Sequence, residues 1–146
     1  MTDELSNSTI ELVRDWIADI INDREAWRDG RIAKVLAPEF VRHDRRKVIA
    51  QPPADAAEYI ASVVELERLT GEFPIYVMQE PVSVRGQRLC AVRWIGRLGA
   101  DEMSMIIVIQ ADDTVGRLEQ VILFDPEDSD DALAELDRLY AELAEN

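Results

Sequence analysis

The run Phe40-Val41-Arg42-His43-Asp44-Arg45-Arg46 sets the only histidine of the chain beside a carboxylate and three arginines. A proton acceptor working near neutrality is most often a histidine or a carboxylate of adjusted pKa, so His43 and Asp44 are the candidate catalytic groups. Alternation along a strand puts Phe40, Arg42 and Asp44 on one face and His43 on the other. If Phe40 points inward, Asp44 is the better-placed base and His43 faces away. Later strands offer partners in that phase: Arg93 with Ala91 and Ile95, and Gln120 with Ile122 and Phe124. Adding Tyr59 from a helix gives a candidate ligand-binding set of Arg42, Asp44, Tyr59, Arg93, Gln120 and Phe124. Two arginines around one carboxylate can hold an anionic or carbonyl-bearing ligand through charge-assisted hydrogen bonds. The plainer alternative is that Arg42 or Arg93 neutralises a buried Asp44, which needs a cationic neighbour with or without a ligand.

These groups must be carried by elements, and the hydrophobic period supplies them. Ser8 and Glu11 form a capping-box pattern, and Val13, Trp16, Ile17, Ile20 and Ile21 recur at helical spacing, predicting a first helix over 9–29 that Gly30 stops. A short helix over 32–36 ends before Pro38, and residues 40–44 read as a short strand. Asp55 with Glu58 caps a third helix running to about residue 69, with Tyr59, Ile60, Val63 and Val64 on its apolar face. The period then changes to alternation. Strands over 75–84, interrupted at Pro81, over 89–98, over 103–110 and up to Phe124 are joined by short turns, which predicts four antiparallel strands in series. Leu118, Gln120, Ile122 and Phe124 share one face of the last strand while Val121 and Leu123 share the other, so that strand is central. Asp125-Pro126 stops it. Asp128 or Ser129 caps a final helix whose stripe is Leu133, Leu136, Tyr140 and Leu143.

At 146 residues, 47 % hydrophobic and 32 % charged, the chain fits a single domain spanning 1–146. A net charge of −14 opposes binding to nucleic acid or to an anionic membrane. Arg42, Arg45, Arg46 and Lys47 form the sole basic cluster. No aromatic platform interleaves it, so pairing with the acidic C-terminal stretch explains it better than a nucleic-acid surface does. Cys90 is the only cysteine, which excludes an internal disulfide and a Cys-built zinc site, and its alternation with Val92 and Trp94 predicts a buried thiol. The sequence calls for no metal and no cofactor. No run approaches the ~20 apolar residues of a membrane span, and Met1 to Leu5 has no signal-like start, so a cytoplasmic location is expected.

The order helix, short helix, strand, helix and curled antiparallel sheet resembles the nuclear transport factor 2-like superfamily, also called SnoaL-like. Two stretches carry the likeness to a bacterial branch of unassigned activity: Phe40-Val41-Arg42-His43-Asp44-Arg45-Arg46, and Phe124-Asp125-Pro126-Glu127-Asp128-Ser129-Asp130-Asp131-Ala132-Leu133-Ala134-Glu135-Leu136-Asp137. The resemblance implies an α+β cone, a curled antiparallel or mixed sheet wrapped around N-terminal helices with a C-terminal helix. It also implies a pocket at the wide end and a homodimer through the other sheet face. Met103, Met105, Ile107 and Ile109 supply an independent motive for pairing if they lie outside, since four such side chains at ~1.5–3 kcal/mol each favour burial against a second copy. The superfamily's enzymes are matched only in part. Arg93 matches the arginine of the limonene epoxide hydrolases, but Ile95 and Ile122 stand where their carboxylates belong. The Tyr and protonated Asp donors of ketosteroid isomerases are not found on the matching strands.

The expectation is therefore a homodimeric cone-fold domain that binds a small apolar or carbonyl-bearing molecule without established catalysis. One alternative is an isomerase, cyclase or hydrolase using Asp44 or His43 as acid/base. Another is an interaction module that docks a partner through its acidic last helix.

Overall fold

A computed structural model describes residues 5–48 and 50–144. Helix α1 spans Ser8–Trp16 and runs on as a π-helical turn, Ile17–Ile21; α2 spans Arg24–Arg28, and a 3-10 turn, Arg31–Val35, leads into strand β1, Leu36–Asp44. Strand β2, Ala54–Asp55, precedes α3, Ala56–Thr70. Strands β3, Ile75–Arg85, β4, Leu89–Leu98, β5, Asp101–Ala111, and β6, Leu118–Phe124, follow in series, and α4, Ser129–Ala144, closes the chain. The six strands form one mixed sheet in the order β2-β1-β6-β5-β4-β3. Pairing is antiparallel except between β1 and β6, which run parallel, so β6 is a central strand as its two apolar faces predict. The fold class is α+β, a cone-shaped sheet around the N-terminal helices with a C-terminal helix.

Local chemistry sets the element ends. The α3 start is a capping box in which Asp55 accepts from the Glu58 N–H and Glu58 accepts from the Asp55 N–H, and Gly71 closes the helix in the left-handed conformation. At α1 the cap is Asn7, one residue before the expected Ser8. Its Oδ1 accepts from Ile10 N at 3.0 Å while its Nδ2 donates to the carbonyls of Gly86 and Leu89, tying the helix to the β3–β4 hairpin. Ser8 is occupied elsewhere, donating through N and Oγ to Gln87. The predicted single helix over 9–29 breaks at Asn22 and Asp23. Asn22 Nδ2 donates to Tyr76 O at 2.9 Å and its Oδ1 accepts from Tyr76 N at 2.8 Å, so the side chain stands in for a neighbouring strand at the edge of β3. Strand β1 starts at Leu36 and passes through Pro38 in a stretch where its pairing with β6 is interrupted, a position that needs no N–H from the proline.

The sheet has a core on each face. On one, Cys90, Val92, Trp94, Met105, Ile107 and Ile109 pack with Phe40 under α1, α2 and α3. On the other, Leu89, Ala91, Ile106, Val108, Ile122 and Phe124 lie under Ala132, Leu136 and Leu139 of α4. This corrects the expected phase of the middle strands. Met105, Ile107 and Ile109 face inward, beneath the chain's own helices, and the outward apolar row is covered by α4. The apolar motive for pairing two copies through the sheet face is thereby removed.

Candidate functional site

Between the sheet and the N-terminal helices lies a cavity of about 330 Å³, at the small end of the ~300–1,000 Å³ typical of ligand pockets. It reaches the surface beside Leu66, Arg97 and Met103, lining residues that are themselves exposed. Its walls are mostly apolar and aromatic. Trp16 and Trp27 enter from the N-terminal helices, Phe40 from β1, Tyr59 and Val63 from α3, Tyr76 from β3, Trp94 from β4, and Met105 and Ile107 from β5. The rings support one another: Tyr59 lies edge-on to Trp27 at 5.7 Å and beside Phe40 at 5.8 Å, and Tyr76 lies 5.9 Å from Trp94. Tyr76 sits opposite Gly96 in the β3–β4 ladder, with its ring lying over that glycine.

Strand β1 has the expected phase, bringing Phe40 and Arg42 to the cavity wall while His43 pairs with Ile122 on the α4 side. The charged groups are arranged differently from the expectation. Asp44 is neutralised by neither Arg42 nor Arg93. Arg46, two residues on, clamps it with Nε to Oδ1 at 2.9 Å and Nη2 to Oδ2 at 2.7 Å. The backbone N–H groups of Arg46 and Gln51 also donate to its two oxygens, and its side chain has no exposed surface. Burial would raise the pKa of this carboxyl, but the guanidinium and backbone donors overcome it and hold the value below the ordinary carboxylate range. Asp44 is therefore an ionised, saturated acceptor, whereas a general base needs an oxygen free to take a proton.

Arg42 stands apart. It is only 6 % exposed, and among the described residues no carboxylate pairs with it. Its Nη2 donates to the Pro52 carbonyl at 3.0 Å, its guanidinium carbon lies 5.8 Å from the Tyr59 ring centre, and its Nε is buried without a hydrogen-bond partner. Burial pushes the Tyr59 hydroxyl up, with Arg42 opposing, and it pushes the Tyr76 hydroxyl up as well. Both phenols are thus neutral donors at physiological pH.

Among the nominated residues only Arg42 and Tyr59 line the cavity; His43, Asp44, Arg93, Gln120 and Phe124 do not. Arg93, on the α4 side, approaches Glu80 at 3.5 Å and the Pro126 carbonyl at 3.4 Å. Gln120 donates to Gln110 at 3.0 Å, and Phe124 is buried in the core beneath α4. The reason is the inverted phase of β4 and β6, whose two faces are equally apolar. Sequence reasoning did not nominate Arg46, Tyr76 or Trp94. The i, i+2 spacing of Asp44 and Arg46 in extended chain was the available signal for the first.

No family model matches the sequence, and no curated protein matches it. Solved structures do match its fold. PrhC from Penicillium brasilianum superposes with a TM-score of 0.61 at 16 % identity, over 94 % of this chain and 91 % of that one. A SnoaL-like family protein from Agrobacterium tumefaciens gives 0.58 at 12 % identity over 80 % and 96 %. An NTF2-like protein from Cytophaga hutchinsonii gives 0.52 at 13 % over 87 % and 96 %. The chain has the NTF2-like, SnoaL-like fold. Within that fold the cavity occupies the interior of the cone, and the C-terminal helix covers the sheet's outer face.

Proposed function

We propose that this SnoaL-like domain binds a small, largely apolar organic molecule in the cavity, holding a ligand oxygen at Arg42. The observation that carries the reading is a buried guanidinium, with no carboxylate partner among the described residues, lining a mostly aromatic and aliphatic pocket. A buried cation lacking its counter-charge costs free energy that a ligand acceptor would recover. The experiment uses a neutral fluorescent lipophile, N-phenyl-1-naphthylamine, titrated into the wild-type chain and into Ile107→Trp, which fills the cavity. Micromolar binding to the first and its loss in the second support the reading. Equal binding to both, or binding to neither, refutes it.

A proton-transfer reaction on a carbonyl compound is the second reading, favoured by the two neutral tyrosine hydroxyls, which can donate to a carbonyl oxygen. The Agrobacterium protein is a proposed isomerase, which lends this some weight. It requires Asp44 or His43 as base, and the first is saturated while the second lies across the sheet. Binding without proton transfer fits the geometry better. An Asp44→Asn variant that abolished α-proton exchange on a bound ketone while leaving its affinity unchanged would reverse that preference.

A further inference from the structure

Charge balance inside the cone narrows the ligand class. The described cavity lining includes Arg42, Arg46 and Arg97 but no Asp or Glu. Arg46 is neutralised by Asp44, and Arg97 pairs with Glu102 at 3.0 Å. Among the described residues that leaves Arg42 as the one lining cation without a carboxylate partner, inside a chain whose net charge is −14. The chain carries thirty Asp and Glu, and among the described residues none is directed at this guanidinium. Beside it stand Tyr59 and Tyr76, whose hydroxyls have no protein hydrogen-bond partner among the described residues.

Resting on the reading of the cavity as a ligand site, we infer that its occupant is a lipophilic monoanion: one carboxylate against Arg42, with a tyrosine hydroxyl as second donor, and an apolar body against Trp94, Met105 and Ile107. A single carboxylate matches both the net charge and the fork of the guanidinium. A neutral ketone or alcohol can accept a hydrogen bond from the guanidinium but leaves the buried charge unbalanced. A phosphate monoester brings about two negative charges against one positive and overshoots. An amine adds a like charge and is excluded.

The test uses the intact chain and two matched probe series by titration calorimetry: decanoate, decan-1-ol and decylamine, then 2-naphthoate, 2-naphthalenemethanol and 2-naphthylmethylamine. The acid of at least one series is expected to bind on the order of tenfold more tightly than its alcohol, with the amine undetectable. Arg42→Met is expected to erase the acid's advantage over its alcohol, and Arg42→Lys to restore part of it. Alcohols that bind as tightly as their acids overturn the assignment of a monoanion and leave the cavity reading standing. Failure of all six to bind, together with failure of the neutral fluorescent probe, overturns both. Should Arg42→Met not fold, the acid-to-alcohol ratio in the wild-type chain decides alone.

Discussion

Arg46 reaches back across a single intervening residue to hold both oxygens of Asp44, at 2.9 and 2.7 Å, and in doing so takes the carboxylate that Arg42 would otherwise own. The two arginines project from neighbouring positions at the same end of the cone, yet one is a structural clamp and the other an unsatisfied cation. The division of labour between them underlies the functional reading, because a salt bridge to Arg42 would have closed the site electrostatically.

Breaking the clamp has a measurable cost. Asp44→Asn leaves the Arg46 guanidinium, 10 % exposed as a side chain, without its counter-charge, and a loss of about 3 kcal/mol in urea unfolding at pH 7 is expected. The pH dependence follows from the lowered carboxyl value. Asp44 stabilises the fold above the unfolded carboxylate pKa of ~3.9, and that contribution drains away as pH falls through the lower folded value. Wild-type stability should therefore decline below about pH 4, and the Asn variant should show a shallower acid limb. Parallel limbs in the two proteins would contradict the pairing.

Element order was legible because caps, turns and helical period agree: the Asp55–Glu58 box, Gly71 and the extent of β4 all lie where the residues place them. The side on which each sheet strand faces was not legible. β4 and β5 carry apolar residues on both faces, so alternation distinguishes two faces without saying which is the inside. Only β1, where Phe40 and Arg42 differ sharply from Val41 and His43, exposes its phase. A register shift between Gln110 and Ala111 adds to the difficulty by moving Leu118 into the inner core, away from Ile122 and Phe124. Arg93 and Gln120 were thus assigned to a cavity that their strands turn away from.

The Asn7 cap does more than end a helix, since it joins α1 to two carbonyls of the β3–β4 hairpin. Asn7→Ala removes three hydrogen bonds, in a residue only 6 % exposed, and should cost about 1–3 kcal/mol. Asn7→Asp keeps the cap acceptor but turns a carboxylate oxygen onto the two carbonyls, so it should cost at least as much. Thermal unfolding of both variants checks this; an Asp variant as stable as wild type would show that the cap alone matters.

Cys90 is fully buried on β4, and its surroundings push the thiol pKa up to about 12. Reaction with a disulfide reagent such as Ellman's should be negligible in the native chain at pH 8 and complete once urea unfolds it. Prompt labelling of the native protein would show that the inner core opens more readily than its packing implies.

The last helix decides whether the sheet's outer face is available to another molecule. Two kinds of contact hold α4: Leu136, fully buried over Ile106, Val108 and Ile122, and ion pairs, Arg45 to Glu135 at 3.3 Å and Lys47 to Asp128 at 3.0 Å from the basic cluster and Arg85 to Asp137 at 2.7 Å from β3. Arg45, Lys47 and Asp137 are largely exposed, so each pair is worth at most about 1 kcal/mol and is screened by salt, whereas deleting a buried leucine costs about 2–5 kcal/mol. Apolar packing therefore governs docking, and raising NaCl from about 0.05 to about 0.5 M should change stability by less than ~1 kcal/mol. Leu136→Asp puts a charge into that contact and should free the helix, baring the outer apolar row. Sedimentation velocity is expected to show a single, concentration-independent species for the wild type and concentration-dependent association for the variant. If the wild type already pairs and Leu136→Asp leaves that pairing unaltered, the two copies meet through a surface other than the one α4 covers.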